Sequence, residues 1–86
     1  MSGRVRVTRE GRGLRQYGKE MRCSYGTRIN VRESSSAEGS YVWLFMEQQF
    51  YSDQPVKDAS AHLSVKQARE LVRRLQTWLD DVEAPR

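Results

Sequence analysis

Between Val65 and Val82 the apolar residues fall at Val65, Ala68, Leu71, Val72, Leu75, Trp78, Leu79 and Val82. Steps of three and four draw one stripe along an α-helix, so the spacing predicts a helix over 65–82. Ser64 stands just before it and Gln67 three positions later, the capping-box arrangement. Pro85 forbids continuation at the other end. About 18 residues rising 1.5 Å each make a rod roughly 27 Å long, enough to cross a small sheet. Glu70 has Arg73 and Arg74 at helical spacing, two favourable surface pairs. One feature opposes the helix dipole: Lys66 sits in the first turn, while Asp80, Asp81 and Glu83 crowd the last. Either that end is simply solvated, or N-terminal arginines lie against it.

Upstream the period changes to two. Val5 and Val7 alternate with Arg4, Arg6 and Thr8; Met21, Cys23 and Tyr25 with Glu20, Arg22 and Ser24; Ile29 and Val31 with Arg28, Asn30 and Arg32. Each run reads as a half-buried strand. Gly18, Gly26 and the segment 34–40 with Gly39 at its tip punctuate the runs as turns. Residues 41–46 (Tyr41, Val42, Trp43, Leu44, Phe45, Met46) are unbroken apolar sequence, the pattern of a strand covered on both faces. Residues 51–60 read as a polar connection, and Ala61 to Leu63 as a short last strand. The expected fold is α+β: an antiparallel β-meander of three to five strands packed on one C-terminal amphipathic helix, ββββα in its commonest form. Residues 17–86 form a single domain in this reading. Residues 1–16 are a basic segment, either a flexible arm or an edge strand, with 10–16 as a flexible loop.

Composition narrows the setting. Eighty-six residues fit one domain with a small interior. Cys23 is the only cysteine, so no disulfide can form within the chain; it reads as a small buried hydrophobe on a strand, in a protein of the reducing cytoplasm. No run of 18 apolar residues could span a membrane, and the basic start lacks the apolar segment of a signal peptide. The net charge of +4 is unevenly spread. Residues 1–32 hold nine basic and two acidic groups, +7, and residues 33–86 six basic and nine acidic, −3. Such polarity suits an anionic partner for the first part, or pairing of the two halves within a chain or a dimer. Arginine outnumbers lysine 12 to 3, which suits phosphate recognition but equally a GC-rich genome.

Catalytic and metal chemistry find no foothold. His62 is the only histidine, and no zinc spacing exists. Asp58, Ser60, His62 and Ser64 are too close along one strand to build a triad, and no oxyanion site accompanies them. Gly11 and Gly13 form a bare GxG, and no pair of carboxylates is placed for acid–base work. The chain is therefore expected not to be an enzyme and to take no metal, cofactor or small-molecule substrate.

One helix covers one face of a sheet. Val42, Leu44 and Met46 are expected to join Ile29, Val31, Met21 and the helix stripe. Tyr41, Trp43 and Phe45 then fall on the other face beside Arg28, Arg32, Arg22, Arg4 and Arg6. The reverse assignment, with the aromatics inward, stays open and also leaves an apolar row uncovered. Three readings of that aromatic and basic face stay open. The N-terminal segment or arginine stems shield it; it is a homodimer or host-protein contact; or it binds nucleic acid, the rings stacking on bases and the arginines holding phosphates.

The stretch from Ala61 to Leu71, preceded by Tyr41 to Phe45, resembles small uncharacterised proteins of actinobacteria and their phages: a strand-rich front followed by a capped Gln-Ala-Arg-x-Leu helix. The resemblance implies an accessory phage or mobile-element protein and brings no functional residues with it. In outline the basic sheet plus helix is also similar to the DNA-binding arm domains of phage-type integrases. The expected function is non-catalytic binding through the basic and aromatic face, to a protein partner or a second copy, with DNA or RNA as the alternative.

Overall fold

The computed structural model describes residues 3–10, 13–35, 39–48 and 58–85. It is an α+β fold of six antiparallel strands and one C-terminal helix. The strands are β1 (Val7–Glu10), β2 (Leu14–Tyr17), β3 (Met21–Arg22), β4 (Arg28–Glu33), β5 (Tyr41–Glu47) and β6 (Asp58–Ser64), followed by α1 (Val65–Glu83). The sheet order is β1-β2-β4-β5-β6, with β3 also paired to β4. One more strand forms than expected, because Leu14–Tyr17 folds back on β1 as a hairpin where the sequence reads as a loop. A left-handed Gly13 (φ +85°) leads the chain into β2. Residues 49–57, most of the connection between β5 and β6, lie outside the described residues.

β2 and β3 share one edge of β4. Gln16 faces Arg32, so an unbroken register would set Met21 opposite Thr27, yet it faces Ile29. The chain inserts two extra residues there, and an even number keeps the side-chain alternation in phase. Gly18 sits in this break with φ +81°, and a Cβ on it would lie 3.3 Å from the Val5 Cβ. The backbone angle favours glycine, and a side chain there would also crowd Val5.

β3 is short, and Cys23 lies beyond it in a turn, half-exposed rather than buried on a strand. The Gly26 N–H donates to the Cys23 carbonyl at 3.0 Å, and the Cys23 N–H to the Thr27 carbonyl at 2.9 Å. Those bonds close a turn around a left-handed Gly26 (φ +85°) in place of a ladder. The Tyr25 N–H donates to the Cys23 sulfur at 3.3 Å. That bond, followed by hydrogen bonds from Thr27, lowers the thiol pKa.

The register divides the sheet as alternation requires. Val42, Leu44 and Met46 share a face with Ile29, Val31, Met21, Tyr17, Ala61 and Leu63. The helix leaves β6 without a loop. Ser64 Oγ accepts from the Gln67 N–H at 3.2 Å, and the Gln67 side chain accepts from the Ser64 N–H at 2.9 Å, completing the capping box. Contacts of α1 are with β6 and β5, and Ala68 and Leu71 are the apolar helix residues that reach even half-burial. The rest of the stripe is open: Val72 is 64%, Leu75 56% and Trp78 61% exposed. Among the described residues no apolar side chain is buried. The helix thus packs on the sheet through its first two turns, and the expected full lid does not form. The radius of gyration, 15.1 Å, exceeds the roughly 12 Å of a compact chain of this length. Full burial of a Val or Leu contributes about 1.5–3 kcal/mol, and ordering each residue's backbone costs about 1–2 kcal/mol. Among the described residues no apolar side chain reaches the former, while all bear the latter.

Two predictions concern the helix. Ser64→Ala should cost about 1 kcal/mol of stability by loss of the cap, read from denaturant melts; an unchanged midpoint would refute the role of the cap. Arg73 first, and Arg74 second, hold the Glu70 carboxyl below its ordinary value of 4.5, with Arg73 bonding both carboxylate oxygens at 2.8 Å. Since the folded-state value is depressed, this pairing stabilises above the ordinary carboxylate value and is lost as pH falls through the depressed one. An NMR titration should place the Glu70 midpoint below 4.5, and Arg73→Gln should move it upward.

Candidate functional site

The sheet face turned away from the helix carries most of the predicted site residues. Trp43 stands between Arg32 on β4 and His62 on β6, and Phe45 between Asn30 and Ser60. The Trp43 and His62 rings stack 5.8 Å apart at 7°, and Phe45 meets Trp43 edge-on at 5.4 Å. Tyr41 begins β5 opposite Ser64 and lines the cleft beside the helix rather than the Trp43–Phe45 cluster. Arg22 faces Arg28 across β3 and β4. Arg6 lines a shallow recess with Gln16 and Glu20 at the other edge, and Arg4 is exposed just before β1.

A polar network binds the two best-placed arginines to the protein itself. Arg28 bridges Glu47 at 3.3 Å and Glu20 at 3.8 Å. Arg32 donates through Nε to Gln16 Oε1 at 2.8 Å. Gln16 in turn donates to Asn30 Oδ1 at 3.1 Å, and Asn30 to Glu20 Oε1 at 3.2 Å. Ser34 and His62 lie 2.8 Å apart across Oγ and Nδ1. Asn30 (4% exposed), Gln16 and Ser34 are the buried residues among those described, all polar. Sequence reading passed over Gln16, Asn30 and Ser34. Asn30 carries the clearest signal, an uncharged polar side chain mid-strand between Arg28 and Arg32 on the same face; Gln16 lies within β2 and Ser34 just beyond β4. The Trp43 indole N–H is buried and has no hydrogen-bond partner among the described residues.

The opposite face holds the larger apolar feature. A cleft of about 780 Å³ opens between the sheet and the start of α1, lined by Tyr17, Val31, Val42, Leu63, Ala68 and Val72 among others. From there the stripe continues in the open through Leu75, Trp78, Leu79 and Val82. The sequence marks these residues as core; the structure leaves them as surface. Beyond the stripe, Asp80, Asp81 and Glu83 are exposed. The ion pairs among the described residues join Arg28 to Glu20 and Glu47, and Arg73 and Arg74 to Glu70, so none reaches this acidic end. Among the described residues no group of three or more His, Cys, Asp or Glu could hold a metal ion, and no helix is long and apolar enough to cross a membrane.

Comparison with known proteins gives no relative: no family model, no curated protein and no solved structure matches this chain.

Asn30→Ala would leave Gln16 and Glu20 each short of a partner beside a buried site. It should lower stability by about 1–3 kcal/mol, whereas Tyr25→Ala, at a residue 92% exposed, should be near neutral. Equal effects of the two substitutions in chemical denaturation would deny the network its structural part.

Proposed function

We propose that this chain is a non-catalytic protein-binding module whose contact surface is the apolar side of α1 together with the cleft at its base. The observation that carries the reading is the open stripe: Val72, Leu75, Trp78, Leu79 and Val82 are all exposed, in a chain whose described residues include no buried apolar side chain. An apolar patch of this size rimmed by charge is the mark of a protein interface. Trp and Leu anchors of this kind supply most of the binding energy once a partner seals them from water. The aromatic and basic face, from which the sequence suggests binding, serves this reading less well. Arg28 and Arg32 hold Glu20, Glu47 and Gln16, and Trp43 is covered by His62 and Phe45. An accessory role in a phage or mobile element, in the cytoplasm, rests on the resemblance of the helix and on the single cysteine.

Binding of DNA or RNA is the second reading. Its support is the exposed basic group of Arg4, Arg6, Arg9, Arg15 and Lys19 around β1 and β2, a set suited to phosphate contacts.

The test uses an apolar dye and melting. At dilution the chain should bind anilinonaphthalene sulfonate strongly. Leu75→Glu and Trp78→Glu should each remove most of the signal while changing the stability of a lone copy by no more than about 0.5 kcal/mol. A monomer that melts cooperatively and binds no dye would overturn the module reading. Binding to mixed DNA that falls steeply with salt and is lost on Arg6→Ala and Arg15→Ala would favour the second one.

A further inference from the structure

We infer that the partner covering the helix stripe is a second copy of this chain, the C-terminal half of each α1 lying on the apolar sheet face of the other with its acidic end on the arginines of β1 and β2. This inference rests on the module reading and names its partner.

Charge carries the argument. Arg9 and Arg15 face each other directly across β1 and β2, both exposed, and like charges opposed on neighbouring strands destabilise the pairing. By alternation they lie on the face of Val7, Tyr17, Val31 and Leu44, the face over which α1 begins. At the far end of α1, Asp80, Asp81 and Glu83 stand where the helix dipole is itself negative, with no basic residue in that last turn. Within the copy, the Arg9 guanidinium donates to the Gly13 carbonyl at 2.7 Å and the Arg15 N–H to Glu33 Oε1 at 3.2 Å. The basic and acidic clusters are opposite in sign, and a single copy joins them by no ion pair among the described residues. A two-fold arrangement brings each acidic end to the other copy's arginines, so both clusters are relieved twice by one contact.

Area agrees. The exposed parts of Val72, Leu75, Trp78, Leu79 and Val82 amount to roughly 500 Å², taking ordinary side-chain areas. The partly exposed sheet face of Ile29, Val31, Leu44 and Met46, with the arginines beside it, adds to this toward the roughly 800 Å² that each partner gives to a stable dimer. Donor stripe and acceptor face belong to the same chain, as a self-complementary interface requires.

The experiment is sedimentation of the full chain across a wide concentration range, with melts and dye binding on the same samples. A two-copy mass is expected, with a melting temperature that rises with concentration and dye binding that disappears as the dimer forms. Reversing the acidic end with Asp80→Lys and Asp81→Lys should weaken dimerisation by about tenfold or more, although the same change suits the dipole of an isolated helix. Arg9→Glu with Arg15→Glu should weaken it likewise, and the four changes combined should restore it. A dimer indifferent to both reversals, or one that the combined variant fails to restore, would overturn the arrangement. A monomer at every concentration that still binds dye would overturn the second copy while leaving the module reading intact. A monomer that melts cooperatively without binding dye would overturn both.

Discussion

A sheet that offers an apolar face and a helix that offers an apolar stripe ordinarily settle each other. Here the junction between them prevents it. β6 runs into α1 through Ser64, which is both the last strand residue and the helix cap. With no loop to turn the axis, the first turns of α1 lie against β5 and β6 and the remainder runs clear. Stripe and sheet face are each left partly wet. The wide spread of the chain about its centre and the lack of a buried apolar residue among those described both follow.

Order in the isolated sheet therefore leans on its polar side. Gln16, Asn30 and Arg32 are joined by hydrogen bonds, and Glu20, Arg28 and Glu47 extend the chain of contacts to the edge of β4. These contacts tie β2 and β5 to β4 and bring Glu20, beside β3, into the same network. In a partly dry setting such bonds are stronger than in water, and an unmade one is correspondingly expensive. A network of this kind fixes register and pairing more than it adds stability.

Charge follows the same division. The basic hairpin of β1 and β2 and the acidic end of α1 each collect one sign. Their separation gives the charge asymmetry of the sequence a spatial meaning: two clusters of opposite sign that no ion pair among the described residues joins. The exposed arginines also account for the persistence of the nucleic-acid reading, since the same groups that suit a carboxylate suit a phosphate.

Local structure was legible in the chain because its causes are local. The three-and-four spacing, Ser64 with Gln67, and Glu70 with Arg73 and Arg74 all act within two helical turns, and the helix forms as they prescribe. Alternation likewise assigned Val42, Leu44 and Met46 to one face and Trp43 and Phe45 to the other. Two turns misled at short range. The Gly26 turn took Cys23 out of its strand, and Leu14–Tyr17 joined the sheet because β1 offered a partner that periodicity cannot see. What only the tertiary structure decided is whether an apolar pattern becomes core. Amphipathicity says which side of a helix avoids water, but the angle at which β6 delivers α1 determines how much of that side its own sheet can reach, and here it reaches only the beginning.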